Sequence, residues 1–136
     1  MAAWTGEAVD GQALDVAEVA ALYEASTLAR RRPVADRERF AAMLRNANLV
    51  VTARLDGRLV GIARSLTDGV YVTYLSDLAV DAACQRMGIG LDLVRATQRA
   101  APRARIVLLA APAAVGYYPR IGFERHDSAW TLAGAD

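Results

Sequence analysis

A strand that runs into a turn with two glycines and then into a helix constrains this chain more than any other feature. Residues Tyr71–Val80 are strand-like, and Gly88 and Gly90 open a segment with helical periodicity that continues to Ala101. Glycine lets the backbone approach a ligand closely, and the unpaired N–H groups of a first helical turn favour an anion. The pattern therefore predicts a pyrophosphate site here, with a tight strand-to-helix turn that binds nothing as the alternative.

Short periodic segments surround this turn in the order βααβββαβαβ. The dipeptides Asp56-Gly57 and Asp68-Gly69 are hairpin signals that join three strands into an antiparallel meander. A strand–helix–strand unit near the C-terminus predicts one parallel pair, so the fold class is α/β, a mixed and mostly antiparallel sheet with about four helices. The predicted strands are Trp4–Val9, Leu49–Leu55, Arg58–Leu66, Tyr71–Val80, Arg105–Ala110 and a last strand or hairpin at Phe123–Leu132; the predicted helices begin after Asp15 and Asp36 and at Gly88 and Ala113.

Composition excludes several classes of function. The 136 residues predict one domain, 1–136, and the net charge of +1 argues against a nucleic-acid partner. One cysteine and one histidine exclude a Cys/His zinc site, so no metal is expected. No apolar run is long enough to span a membrane, and Met1–Asp10 shows no signal-peptide pattern, which predicts a cytoplasmic protein.

Two competing phosphate motifs do not fit the glycine turn. A dinucleotide fingerprint needs a third glycine at position 93, which is Leu93, and no well-placed ribose-binding acid follows. A Walker loop needs the letters GK[ST], which are absent from the sequence. Neither of these motifs therefore explains the glycine turn.

Two segments resemble the GNAT N-acetyltransferase superfamily. Gln85–Gly90, with the letters QRMGIG, resembles its R/Q-x-x-G-x-G/A signature for acetyl-CoA, and the preceding Asp77–Val80 resembles its fourth strand. Ala114–Phe123 resembles its A-x-x-(F/Y)-Y-x-x-x-G-F element. The resemblance covers nearly the whole chain, from about Glu7 to Leu132, and implies the GNAT fold, with a parallel strand pair splayed where the cofactor enters.

The resemblance also implies which residues bind acetyl-CoA. The strand holding Leu78 is expected to splay from the strand holding Leu108, so that the pantetheine arm enters the gap. Many relatives carry an asparagine at the position of Ala111, where it bonds the pantetheine, so that side-chain contact is not expected here. Backbone groups are expected to make the contacts, those of Leu78, Ala79 and Val80 to the pantetheine and those of Gln85, Arg86, Met87, Gly88, Ile89 and Gly90 to the pyrophosphate.

The expected catalytic residues are Tyr118 and Asp77. Tyr118 matches the family tyrosine that protonates the departing thiolate, and a tyrosine is a proton donor at neutral pH. The glutamate that some relatives carry on the fourth strand falls near Tyr74 and is absent. Asp77 is the nearest carboxylate, expected as general base or amine anchor, with a structural hydrogen bond as the alternative. Ser76 and Tyr74 could hold a relay water, with a packed hydroxyl as the alternative.

Other reactive or aromatic side chains are expected to serve structure. His126 could act as a base, but we expect a surface or structural histidine; Cys84 and Tyr117 are expected to pack. Arg30, Arg31 and Arg32 are expected at a solvated helix end, with contact to an anionic substrate or a cofactor phosphate as the alternative. Trp4 and Trp130 are expected in core or edge packing.

The resulting hypothesis is an N-acetyltransferase that moves acetyl directly to the primary amine of a small molecule. One alternative is a protein acetyltransferase acting on lysine or an N-terminus. Another is a non-catalytic acyl-CoA-binding regulatory module. Exposed edge strands leave a homodimer open.

Overall fold

The computed structural model describes residues 4–136. Residues 1–3, which belong to the predicted domain 1–136 and to the segment Met1–Asp10, lie outside the described residues. One five-stranded sheet has the order β1-β2-β3-β4-β5, antiparallel except for the parallel β4–β5 pair. The elements are β1 (Trp4–Val9), α1 (Val16–Ala25), α2 (Arg37–Asn46), β2 (Leu49–Leu55), β3 (Arg58–Thr67), β4 (Val72–Val80), α3 (Ile89–Ala100) and β5 (Arg105–Val107).

Local signals in the sequence set the bounds of these elements. Asp15 caps α1 by accepting from the N–H groups of Ala17 and Glu18, and Asp36 caps α2 in the same way. Asp56 and Gly57 both have positive φ, 53° and 79°, as the two-residue turn between β2 and β3 requires. The predicted caps and this hairpin are therefore confirmed.

The helices bury opposite faces of the sheet. Tyr23 of α1 and Phe40 of α2 are fully buried and meet edge to face, with ring centroids 5.0 Å apart, on one face. Ile89 and Leu93 of α3 are buried on the other face. The predicted α/β class and the mixed sheet are confirmed.

A bulge in β4 reverses which face its residues occupy. The β3–β4 register passes from Arg64 opposite Asp77 to Ser65 opposite Leu75, which leaves Ser76 without a partner. Before the bulge, Leu75 packs on the α3 side; after it, Leu78 and Val80 pack there instead. Asp77 therefore points to the α1 side, because side chains alternate across a strand and one extra residue inverts the alternation.

The structure corrects the prediction for the C-terminal third. β5 has three residues rather than the six of Arg105–Ala110, and 113–120 contains parts of two short 3-10 turns rather than a fourth α-helix. Pro119 interrupts a continuous helix there, because proline cannot donate the helical hydrogen bond. Three α-helices therefore replace the predicted four or so in the described part of the chain.

The predicted last strand or hairpin at Phe123–Leu132 is also wrong. The stretch 123–132 has no strand ladder, and the Trp130 and Leu132 side chains are 91% and 97% exposed. The expected packing of Trp130 is therefore wrong as well, whereas Trp4 packs beside α3, where Nε1 donates to Asp92 Oδ2 at 2.9 Å. Among residues 4–136, none of the helices has the length and apolar character that crossing a membrane requires.

Candidate active site

The parallel strand pair separates after three residues. β4 and β5 are in register only from Val72 opposite Arg105 to Tyr74 opposite Val107. Beyond Tyr74 the strands diverge, and a cavity of about 70 Å³ lies in the gap. On one side is the β4 wall, formed by Leu75, Ser76 and Leu78; on the other is the tyrosine wall, formed by Leu108, Leu109, Ala111, Ala114 and Tyr118.

The gap is where the splayed strands were expected. Leu78 and Val80 are half-buried on the α3 side, and Ala79 is buried on the opposite face. Because β5 does not pair with β4 beyond Tyr74, the backbone groups that β4 turns toward this edge lack a partner strand. This open edge can bond an extended ligand in the manner of an added strand.

The loop after β4 presents its backbone to solvent. Gln85, Arg86, Met87 and Gly88 are all exposed, and α3 begins at Ile89 directly behind them. Arg86 and Gly88 have φ of 69° and 91°, a left-handed geometry that glycine adopts without strain. The N–H groups at the start of α3 are thus available to an anion, and α3 is long enough for its dipole to favour one.

Gly90 lies in close contact with Tyr117. A Cβ at this position would lie 2.7 Å from the Tyr117 hydroxyl oxygen. Tyr117 is 37% exposed, so the expected core role for this side chain is wrong. The tyrosine instead lies over the start of α3, where it borders the predicted pyrophosphate loop.

Tyr118 lies on the tyrosine wall, half-buried. Its ring packs edge to face against Tyr117 and Phe123, at centroid distances of 5.4 Å and 5.3 Å. Burial, and to a lesser extent the neighbouring Tyr117, raises the pKa of Tyr118 above its ordinary value. The hydroxyl therefore keeps its proton at neutral pH, as a general acid must.

Asp77 belongs to a buried charge cluster, defined by Tyr23, Arg32, Arg64, Ser76 and Asp77. Oδ1 accepts from Arg32 Nε at 2.5 Å and from Ser76 Oγ at 3.3 Å. Oδ2 accepts from Arg64 Nε at 2.6 Å and from Tyr23 Oη at 2.7 Å. The side chain of Asp77 is 0% exposed.

This geometry corrects the expectation that Asp77 is a general base or amine anchor. Burial alone would raise the pKa of Asp77, but the hydrogen bond and charge of Arg64, with Tyr23 and Arg32, lower it below its ordinary value. A carboxylate with both oxygens engaged and a lowered pKa is a poor proton acceptor. The alternative of a structural role fits the cluster.

Three further candidate residues, Ser76, His126 and Cys84, have structural surroundings. Ser76 Oγ accepts from Arg64 Nη2 at 2.9 Å and donates to Asp77, so it is a packed hydroxyl rather than a relay site. His126 is exposed and accepts from the Ser128 N–H, and Cys84 is buried.

Sequence reasoning missed the roles of Arg32, Arg64 and Tyr23. Arg64 directly follows the apolar residues Leu59–Ala63 of β3, and its side chain is only 8% exposed. Buried arginine is rare without a partner, so this charge was a usable signal for a carboxylate on the adjacent strand. Tyr23 carried no comparable signal, because its helical spacing matches that of an ordinary core residue.

A larger cavity of about 290 Å³ lies between α3 and the β1–β2 edge of the sheet. Its lining includes Trp4, Asp92 and Arg99, and none of the lining belongs to the glycine loop or the tyrosine wall. The Asp92 carboxylate already accepts from Trp4. We therefore place the chemistry in the smaller gap.

Comparison with known proteins decides the family. The model of the acetyltransferase (GNAT) domain matches residues 18–135. The chain belongs to the GNAT acetyltransferase family. The enzymes of this family use acetyl-CoA as the acyl donor.

The individual relatives match this chain over only part of its length or at low sequence identity. Serotonin N-acetyltransferase 2, chloroplastic, from Oryza sativa subsp. japonica is 36% identical over 70 residues, which are 49% of this chain and 35% of that protein. A GNAT-family acetyltransferase from Streptococcus pneumoniae superposes with a TM-score of 0.78 at 21% identity, covering 98% of this chain and 100% of that one. An aminoglycoside N-acetyltransferase in complex with CoA gives 0.74 at 15% identity, covering 100% and 97%.

The residues of this GNAT domain fit the cofactor. The space beside Gly90 has no room for a Cβ under Tyr117, and Gly88 adopts a backbone conformation that other residues strain to reach. β4 leads through the short 3-10 turn Ala82–Cys84 into this loop, so the open edge of β4 and the start of α3 follow one path along the chain. That path matches a thiol arm that ends in a pyrophosphate.

Proposed function

We propose that this GNAT domain transfers an acetyl group from acetyl-CoA directly to the primary amine of a small molecule. The observation that carries the proposal is the position of Tyr118, a protonated hydroxyl on the wall of the gap opposite the open edge of β4. The names of two relatives support an amine acceptor, since one is a serotonin and the other an aminoglycoside N-acetyltransferase.

Backbone groups would hold the cofactor on one side of the gap. Leu78, Ala79 and Val80 would bond the pantetheine, and the N–H groups of 85–90 would bind the pyrophosphate. Acetyl-CoA supplies the thioester that is attacked. β4 N–H groups at the gap would polarise the thioester carbonyl as fixed donors that need no reorganisation.

Tyr118 would hold the proton that the leaving sulfur needs, at Oη. The acceptor must arrive with a free electron pair, and within residues 4–136 the lining of the gap contains no carboxylate that could take its proton. We propose that water takes this proton and that the enzyme selects the neutral amine. The rate would then depend on the fraction of unprotonated acceptor.

The size of the gap favours a small acceptor over a protein segment. The cavity of about 70 Å³ is bounded by β4 on one side and by Tyr118 on the other. A homodimer and a cytoplasmic location stay predictions from the sequence.

The proposal is tested by replacing Tyr118→Phe and measuring release of free thiol from acetyl-CoA with a panel of primary amines. We expect kcat to fall about 100-fold, because general acid catalysis contributes at least that much, while the KM for acetyl-CoA stays within twofold. Tyr71→Phe is the matched control, since Tyr71 is 78% exposed and lies before β4.

Two results would contradict the proposal. An unchanged kcat in Tyr118→Phe would remove the acid role. Tight binding of acetyl-CoA by calorimetry with no thiol release for any amine would favour the non-catalytic regulatory module instead.

A further inference from the structure

The gap carries positive charge that nothing in its lining balances. Arg31 and Arg32 both line the cavity, and the other lining residues, within the described part of the chain, are apolar apart from Ser76 and Tyr118. The leucines around them lower the local dielectric, which strengthens any charge interaction inside the gap. A cationic acceptor would therefore meet two like charges here.

The buried charge cluster does not cancel the charge of Arg32. Arg32 and Arg64 bring two positive charges and Asp77 brings one negative charge, which leaves the cluster with a net charge of +1. Tyr23 does not compensate, since burial and the charge of Asp77 hold its pKa well above the ordinary value and keep it neutral. The Arg32 side chain is 21% exposed, so the excess charge reaches the cavity.

Arg31 and Arg32 also have guanidinium N–H groups that make no hydrogen bond with the described residues. Arg32 donates from Nε to Asp77, from Nη1 to the Arg31 carbonyl at 2.8 Å and from Nη2 to the Ser76 carbonyl at 2.8 Å. Three bonds leave two of the five guanidinium N–H groups available. The Arg31 guanidinium is exposed and makes no hydrogen bond or ion pair with any residue from 4 to 136.

We propose, on the basis of the proposed function, that the acceptor amine also carries a carboxylate, which Arg31 and Arg32 bind. The bond of Arg32 to the Ser76 carbonyl places this guanidinium at the bulge, beside the strand edge where the thioester would lie. Planar, forked donors suit a carboxylate, and a charge-assisted hydrogen bond is about twice as strong as a neutral one. The acceptor is thus a small zwitterion rather than a polycation.

The test measures thiol release from acetyl-CoA with matched acceptors. Glycine, β-alanine and 4-aminobutyrate are each compared with the corresponding amide at equal concentrations of the unprotonated amine, because loss of the carboxylate charge also makes the amine less basic. The wild-type chain is expected to favour the acid over the amide by about tenfold in kcat/KM for the best-fitting length. In Arg31→Glu this preference is expected to vanish or reverse.

Arg30→Glu is the matched control. Arg30 occupies the same 3-10 turn and is exposed, but it does not line the cavity. This variant makes the same change in net charge, and the preference for the acid is expected to stay within twofold of the wild-type value. An equal loss in both variants would mean that long-range charge, and not binding in the gap, sets the preference.

A binding measurement separates this inference from the proposed reaction. Calorimetry of the N-acetylated acids and N-acetylated amides with the CoA-saturated protein needs no turnover. Tighter binding of the acid, lost in Arg31→Glu, supports the inference even if no thiol is released. Equal binding of acid and amide, or activity confined to the amides, would overturn the carboxylate site, and equal slowing of acid and amide in Arg31→Glu would assign Arg31 to the reacting carbonyl.

Discussion

The two walls of the gap differ in how firmly the fold holds them. In the β4 wall, Leu75 is 2% exposed and the neighbouring Asp77 is 1% exposed. In the tyrosine wall and its flanks, no residue from 108 to 123 is buried. The wall that would hold the cofactor is therefore part of the sheet, whereas the wall that carries the proton donor rests on short turns. Substitutions in the tyrosine wall can therefore be tolerated, whereas comparable substitutions in the β4 wall would unfold the protein.

Asp77→Asn should produce the largest effect and show the strength of the β4 wall. The variant leaves Arg32 and Arg64 without a negative partner, and breaking a buried ion pair from one side costs about 3–5 kcal/mol. The free energy of unfolding, measured by denaturant titration, should fall by that amount. Asp127→Asn is the control, because its partner Arg125 is 3.8 Å away and both side chains are about nine-tenths exposed.

The same carboxylate predicts the direction of acid sensitivity. Because folding lowers the pKa of Asp77, its contribution is complete above the unfolded value near ~4 and is lost as the pH falls through the lower folded value. The difference in stability between the wild type and Asp77→Asn should therefore shrink below about pH 4. A constant difference down to the lowest pH at which the protein folds would contradict the charge argument.

Gly90→Ala should produce the next largest effect, on the KM for acetyl-CoA. The new Cβ would lie 2.7 Å from Tyr117 Oη and must displace that ring from the start of α3. We expect the KM to rise about tenfold, which corresponds to roughly 1.4 kcal/mol, because small displacements of a binding group are costly. Gly116→Ala, where a Cβ meets nothing within 4 Å, should leave the KM unchanged.

A smaller effect is expected in the alkaline limb of the pH profile. Since burial raises the pKa of Tyr118 above its ordinary value of about 10, kcat at pH 9.5 should be at least about three quarters of its maximum. Steady-state kinetics between pH 7 and 10.5 would measure this limb. A steep loss below pH 9 would mean that the acid has a lowered pKa and is a different group.

Trp130→Ala should have the smallest effect on stability, because Trp130 lies in the exposed C-terminal stretch 124–136. With the side chain 91% exposed, its removal should change the free energy of unfolding by less than about 0.5 kcal/mol. Thermal denaturation at two protein concentrations would measure the change. A loss of more than 2 kcal/mol would show that this part of the chain is covered in solution.

The sequence predicted features that depend on local chemistry. Gly88, the Asp15 and Asp36 caps and the Asp56-Gly57 turn each suit the conformation or the hydrogen bonding of the neighbouring backbone, so their residue types predict them. Tyr118 was found by a motif. The cluster around Asp77 was not found, because it joins side chains from α1, the following turn, β3 and β4, and no spacing along the chain connects Arg32 with Asp77.

The bulge at Ser76 also explains why regular alternation along β4 misplaces Asp77 relative to Leu75. Alternation along Tyr71–Val80 assigns one face to Leu75 and Asp77 together, but the extra residue sends them to opposite faces. A deletion of Ser76 would make Leu75 and Asp77 consecutive, so ordinary alternation would then keep Asp77 on the side of Arg32 and Arg64. The inserted residue is thus an irregularity that an apolar–polar pattern cannot encode.

The three-residue ladder between β4 and β5 also makes the gap a wedge with its apex at Tyr74. From there to Val80 is six residues, about 20 Å of extended strand at roughly 3.3 Å per residue. A change of about 5° in the angle between β4 and the segment that follows β5 would move the Val80 end of the gap by about 1.7 Å but would hardly move the end at Tyr74. Small rotations at the apex would therefore adjust the space near the pyrophosphate loop far more than the space beside Ser76.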